Sequence, residues 1–192
     1  MSRLVYNVSC LGKLLSALKS KGLEGVVIGS TAYTLRQGLK EFEDDVDLFL
    51  TSLSPTYDED RIASIASELG CFLGQTEWGT PQLRCVINEC EVTVDLYENM
   101  YDFYIPTEIL EESEKVRVGG FEIKLIKLED YLILKAKSGR EEDLEELSNI
   151  SNDVKSGKVK INKNVIIKRL NLFEDYEKDL IVKRLKNAGI PL

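Results

Sequence analysis

Along this chain the spacing of apolar residues alternates between a helical and a strand period. Leu11, Leu14, Leu15 and Leu18 recur at intervals of three and four, which places them on one face of a helix opened near Ser9 and closed by Gly22. Residues 24–28 read as a strand whose apolar run, Val26-Val27-Ile28, stops abruptly at Gly29 and Ser30. Residues 30–37 fit a short helix capped by Ser30 and ended by Gly38, with a charged loop at 38–43. Residues 45–50 alternate: Asp45 and Asp47 fall on one side of a strand, Val46 and Leu48 on the other. After a turn at Ser54-Pro55, residues 58–69 place Ile62, Ile65, Ala66 and Leu69 on one helical face. Asp58, Glu59 and Asp60 suit the positive end of that helix.

Three strands follow, at 71–73, 83–87 and 91–96, the last two joined by a turn at Asn88-Glu89. Residues 116–118 and 121–123 flank Gly119-Gly120, the signature of a tight hairpin with a primed turn. Near residue 125 the pattern turns wholly helical. Leu125, Leu128, Leu132 and Lys135 share one face, Ser138-Gly139 breaks the run, and Glu141, Glu142 and Asp143 open a helix with Leu144 and Leu147 as apolar positions. Residues 164–170 and 173–185 predict two more helices, burying Ile166, Ile167, Leu170, Leu180, Ile181 and Leu185. The pattern predicts an α+β fold: a mixed sheet with packed helices over residues 1–125, then a C-terminal helical portion over 126–192.

Composition narrows the chemistry. A chain of 192 residues, 43% hydrophobic and 30% charged, has length enough for one sizeable core. No apolar run approaches the ~20 residues of a membrane span, and Met1-Ser2-Arg3 leads into a run that Asn7 and Ser9 interrupt, so a cytoplasmic location is expected. There is no histidine, which removes histidine general bases, Ser-His and Cys-His dyads, and zinc sites of Cys and His. Cys10, Cys71, Cys85 and Cys90 show no Cys-x-x-Cys spacing. Cys85 and Cys90 are placed to meet across the hairpin, but buried thiols are expected. The net charge of −8 argues against a general nucleic-acid coat. Yet Lys155, Lys158, Lys160, Lys163, Lys168 and Arg169 stand in a stretch with no acid, either a solvated lysine-rich face or a patch that steers a phosphate-bearing partner.

The sharpest chemical signal is the Asp45/Asp47 pair. Neighbouring carboxylates repel, and a sequence tolerates them when water solvates them or a cation sits between them. Hard cations such as Mg²⁺ favour such oxygen ligands. Upstream, Gly29 lets the backbone approach a ligand, and the Ser30 hydroxyl with the amides of a helix start suits a phosphate. Arg36, near the end of that helix, is a further phosphate candidate. Asp95 ends an alternating strand among apolar neighbours, where an isolated charge is costly unless it caps the turn that follows.

An apolar strand, Gly29-Ser30, a helix, then Asp45-Val46-Asp47-Leu48 resembles the signature of the nucleotidyltransferase superfamily that includes DNA polymerase beta. The interval from Ser30 to Asp45 is somewhat longer than that family usually shows. Residues 127–147 look like the segment after the catalytic sheet in bacterial and archaeal nucleotidyltransferase-like proteins, among them the abortive-infection toxins of toxin–antitoxin pairs. The resemblance implies that Asp45 and Asp47 bridge two Mg²⁺ (or Mn²⁺) ions, and that Asp95 holds one of them and helps deprotonate an acceptor hydroxyl. It implies that Gly29 and Ser30 bind the β and γ phosphates of an NTP. Lys135 would offset charge on the leaving pyrophosphate, and Arg140 and Asp143 are weaker matches to cleft residues. The implied activity is transfer of a nucleoside monophosphate from an NTP to an acceptor hydroxyl. RNA is the candidate acceptor through residues 155–169, and an antitoxin protein the candidate partner. Two alternatives stay open: a non-catalytic module of the same fold that binds a nucleotide or a protein, and an unrelated α/β protein with a chance Asp-x-Asp.

Overall fold

A seven-stranded sheet carries the first of two units in this computed structural model, which describes residues 5–100 and 103–192. The first unit takes residues 1–104 and 113–126, and the second takes 105–112 and 127–192. The residues Met1, Ser2 and Arg3, on which the reading of the amino terminus rests, lie outside the described residues.

In the first unit the order is β1 (Tyr6–Asn7), α1 (Val8–Ser20), β2 (Gly25–Val27), α2 (Gly29–Arg36), β3 (Glu41–Phe42), β4 (Val46–Leu50), α3 (Glu59–Glu68), β5 (Phe72–Gln75), β6 (Pro81–Ile87) and β7 (Cys90–Tyr97). The chain then supplies α4 (Thr107–Glu111) to the second unit before β8 (Glu114–Val118) and β9 (Phe121–Leu125) return to the first. The sheet runs β5-β6-β7-β4-β2-β9-β8, and β1 with β3 forms a separate two-stranded ribbon. The pairs β4–β7 and β2–β9 are parallel and the others antiparallel, so the sheet is mixed.

Local chemistry accounts for most of these elements. Asn7 caps α1 by accepting from the amides of Ser9 and Cys10, and Leu11, Leu14 and Leu18 are fully buried on its inner face. A Cβ on Gly12 would fall 2.0 Å from the carbonyl oxygen of Val118, so only glycine lets α1 lie this close to the β8–β9 hairpin. Asn88 and Glu89 both have positive φ (49° and 66°), the geometry of a tight turn between β6 and β7.

The structure corrects several expectations. The second helix starts at Gly29, its N-cap is Ile28 with no side-chain cap bond, and Ser30 lies inside its first turn. The strand of the acidic pair starts at Val46, leaving Asp45 just ahead of it. Part of the charged loop forms β3 against β1. The four cysteines form two disulfides rather than free thiols, Cys10–Cys90 and Cys71–Cys85, and the Cys85–Cys90 pairing does not occur. The first ties α1 to the start of β7. The second joins the residue before β5 to its neighbour on β6.

The second unit comprises α4, α5 (Leu128–Ser138), α6 (Glu141–Lys155), α7 (Lys163–Leu170) and α8 (Asp175–Asn187). Its core holds Leu132, Ile133, Ala136, Leu147, Ile150, Ile166, Ile181 and Leu185. Ile167 and Leu180, expected inside, are 50% and 40% exposed. Arg169, expected on a basic face, is buried: its Nε donates to Asp130 Oδ1 at 2.8 Å and its Nη2 to Glu112 Oε2 at 2.9 Å. Burial pushes the Asp130 carboxyl up to about 6 in spite of that partner. Among the described residues no helix is long and apolar enough to cross a membrane.

Candidate active site

The acidic pair and Asp95 meet at one end of the sheet because β4 and β7 run parallel in a fixed register. Val46 pairs with Val94, Asp47 with Asp95 and Leu48 with Leu96. Asp47 and Asp95 are therefore direct neighbours on adjoining strands, and the pleat sends both away from the buried Val46, Val94, Leu48 and Leu96. Asp45 precedes Asp47 by two residues and is exposed. Next to them, the Ile28 amide donates to the Asp47 carbonyl at 2.9 Å, bringing the β2–α2 junction against β4.

At that junction Gly29 has φ +68°, and a Cβ there would fall 1.7 Å from Asp47 Oδ2. Both the left-handed backbone and the carboxylate exclude a side chain at this position. Ser30, one residue into α2, donates from Oγ to Asp44 Oδ2 at 3.0 Å. The Tyr6 hydroxyl donates to the Asp44 carbonyl at 2.8 Å and Thr31 Oγ1 to the Asp45 carbonyl at 3.4 Å, so the segment ahead of β4 is held at three points. Burial holds the Tyr6 phenol above its ordinary range, and the charges of Asp44, Asp45 and Asp47 add to the effect.

Asp95 is half-buried, and its environment is built by two neighbours. Gln82, its register partner on β6, donates from Nε2 to Oδ1 at 2.8 Å, and the Tyr97 hydroxyl stands 3.4 Å from Oδ2. Burial raises the Asp95 carboxyl above its usual range. The Gln82 hydrogen bond opposes that rise, and the Asp45 charge adds to it. Tyr97 is raised as well, by burial first and then by Asp47, Asp95 and Asp45.

The other candidates have partners within their own units. Arg36 donates from Nη2 to Glu114 Oε2 at 2.8 Å and to the Ile126 carbonyl at 2.5 Å, which ties α2 to β8 and to the end of β9. These bonds brace the end of α2 against the sheet. Lys135, Arg140 and Asp143 come together within the second unit. Lys135 Nζ donates to Asp143 Oδ1 at 2.7 Å and pairs with Glu146 at 2.9 Å, while Arg140 Nε and Ser138 Oγ donate to Asp143 Oδ2 at 2.9 and 2.6 Å. Asp143 is fully buried, yet these donors outweigh burial and hold its carboxyl well below the usual carboxylate range. The cluster joins α5 to the first turn of α6.

Three residues beside these groups were not singled out from the sequence. Asp44 carried a visible signal, since it stands beside Asp45. Gln82 and Tyr97 carried none without the register of β6 and β7.

The donor set at this end of the sheet is all oxygen, which suits a hard divalent ion such as Mg²⁺ or Mn²⁺. The absence of a side chain on Gly29 leaves that place to the Asp47 carboxylate itself. Among the described residues, no three acidic or cysteine side chains already close into a metal cage.

A family model described as nucleotidyl transferase of unknown function (DUF2204) matches residues 7–187. No curated protein matches the chain. Among solved structures, the chain is similar to an antigenic nucleotidyltransferase-like protein from Paracoccidioides brasiliensis, at 15% identity over 94% of this chain and 88% of that one, with a TM-score of 0.58. It is also similar to ANT(2'')-Ia, solved in complex with adenylyl-2''-tobramycin, at 15% identity over 94% and 97% of the two chains, with a TM-score of 0.47. At 15% identity the first of these likenesses speaks for the fold alone.

Proposed function

This chain belongs to the nucleotidyl transferase family that matches residues 7–187, and from that premise we propose a divalent-metal-dependent enzyme that moves a nucleoside monophosphate from an NTP to an acceptor hydroxyl. The observation that carries the reading is the register pairing of Asp47 with Asp95, with Gly29 set against the Asp47 carboxylate. Asp45, Asp47 and Asp95 would hold the ions. When bound, such ions stabilise charge on the entering and leaving oxygens of an in-line displacement.

The first unit supplies the rest of the chemistry. The start of α2, at Gly29 and Ser30, orients the β and γ phosphates through backbone amides and the Ser30 hydroxyl. Asp95 helps to take the proton of the acceptor hydroxyl. The acceptor oxygen bonds to the α-phosphorus, the bond to the bridging oxygen breaks, and pyrophosphate departs.

RNA is the acceptor we favour. Lys155, Lys158, Lys160, Lys163 and Lys168 are exposed, and a row of exposed cations in an acidic protein steers a polyanion. A toxin whose target is RNA, held in check by an antitoxin protein, is the biological role consistent with that acceptor. The contrary reading, a nucleotide- or protein-binding module without turnover, draws on the engagement of Asp95 by Gln82 and Tyr97. Incubation with Mg²⁺, each α-labelled NTP and mixed cellular RNA separates the two. Label on RNA is expected from the wild type and not from Asp47→Asn. No label on RNA or protein with any NTP moves the protein to the binding module.

A cytoplasmic location is at odds with the two disulfides, because cytosolic reductants keep most thiols reduced. Alkylation before lysis, followed by mass spectrometry of Cys10, Cys71, Cys85 and Cys90, tests it: four alkylated thiols support the cytoplasm, and none opposes it.

A further inference from the structure

Asp95 faces a problem of orientation. Its neighbour on β4 is Asp47, and adjoining strands lie about 4.8 Å apart. Two carboxylates at that spacing repel, and an Asp side chain on its own is free to turn about χ2. The neighbour on the other side is Gln82, on antiparallel β6, and its carboxamide nitrogen donates to Asp95 Oδ1 at 2.8 Å. The other strand beside Gln82 is β5, which offers it Gly74, a residue without a side chain. Among the described residues the Gln82 amide donates to no group but Asp95.

We propose that Gln82 is a positioning residue whose carboxamide fixes the orientation in which Asp95 meets a divalent cation. The inference rests on the metal-dependent reading above. With Oδ1 held by the amide, Oδ2 is the oxygen left to ligate, so Asp95 binds through one oxygen. Single-oxygen ligation suits the strict octahedral geometry of Mg²⁺ and Mn²⁺, whereas Ca²⁺ accepts two-oxygen carboxylates at higher coordination number. Partners that hold a ligand from behind matter nearly as much as the ligand itself, and their loss costs roughly 10- to 100-fold in metal affinity or activity. The Tyr97 hydroxyl, at 3.4 Å, is a far weaker hold.

The test is Mn²⁺ binding without NTP, followed by electron paramagnetic resonance and calorimetry. The proteins are the wild type, Gln82→Met, Gln82→Ala and Tyr97→Phe. Methionine keeps the length of glutamine and removes the donor. Expected are roughly 10- to 100-fold weaker Mn²⁺ binding in both Gln82 variants, near wild-type binding in Tyr97→Phe, and thermal midpoints close to wild type. The preference for Mn²⁺ over Ca²⁺ should shrink in both Gln82 variants. In turnover, the half-saturating metal concentration should rise while KM for the NTP stays put. A wild type that binds Mn²⁺ with folded Gln82 variants that bind it equally or more tightly overturns this inference alone. A wild type that binds no Mn²⁺ overturns it together with the metal-dependent reading.

Discussion

A methyl group on Gly29 would stand 1.7 Å from Oδ2 of Asp47, so these two residues exclude any side chain between them. The backbone at Gly29, at φ +68°, independently disfavours one by roughly 1–2 kcal/mol. Gly29→Ala is therefore expected to lower the thermal midpoint and to abolish transfer. Because part of the cost is the clash, shortening Asp47 should recover some of it. In a double-mutant cycle Gly29→Ala with Asp47→Ala should be more stable than the sum of the single changes. Strict additivity in the melts would mean that the two side chains do not compete for this space.

Asp47→Asn separates chemistry from folding. Removing one of two neighbouring like charges relieves repulsion, so the metal-free variant should melt at or above the wild-type temperature. Mg²⁺ or Mn²⁺ should raise the wild-type midpoint by mass action and leave the variant where it was. Equal shifts in both proteins would place the ion elsewhere.

The disulfides should differ in worth. A cross-link stabilises chiefly by restricting the unfolded chain, and more for a longer loop. Cys10–Cys90 spans 80 residues and Cys71–Cys85 spans 14. Loss of the first is expected to cost about 4.5 kcal/mol and of the second about 3 kcal/mol. Urea unfolding of the Cys10→Ser/Cys90→Ser and Cys71→Ser/Cys85→Ser proteins gives the order, and the reverse order would show that native contacts dominate.

Asp143 sets a pH dependence with a definite sign. Its carboxyl is held below its ordinary value of 3.8 by Arg140, Lys135 and Ser138 against the opposing effect of burial. The folded protein therefore binds the proton less readily than the unfolded chain, and the stabilisation is present above about pH 4 and lost as pH falls. Asp143→Asn should destabilise the protein by about 3 kcal/mol at pH 7, since it leaves Lys135 without its buried partner. Melts repeated down to about pH 3 should narrow the gap between the two proteins without closing it. A gap that stays constant with pH would assign the effect to packing.

The parts of this molecule that were legible in the sequence are those set by local period. The leucine face of α1, the alternation around Asp47, the turns at Asn88-Glu89 and Gly119-Gly120, and the run of carboxy-terminal helices all follow from spacing and turn chemistry. The juxtaposition of Asp95 with the acidic pair was reached only through a family resemblance, because the parallel register of β4 and β7 is a long-range fact. β1 and β3 have two residues each, too few to show any period. Ser30 looked like a cap because its type favours that position. The cap fell two residues earlier, at Ile28, since the Ile28 amide is drawn to Asp47 and Gly29 already takes the left-handed bend. Arg169 looked like part of a basic surface, and no one-dimensional pattern shows that Asp130, 39 residues earlier, waits for it inside. The disulfide partners were hidden for the same reason: Cys10 and Cys90 are brought together only by the packing of α1 on the strands.

The segment 105–112 leaves the first unit after residue 104 and gives it back at 113. Heredity and engineering meet the same obstacle there. A gene cut once after residue 126 still encodes the segment Ile105–Glu112, which then carries Ile105 and Ile109, both fully buried here, with no helical unit to receive them. Recombination at a single breakpoint thus cannot trade the helical half of this protein for another. An exchange that keeps both halves intact must transplant two separated stretches at once, which ties the inheritance of the sheet to that of its own helices.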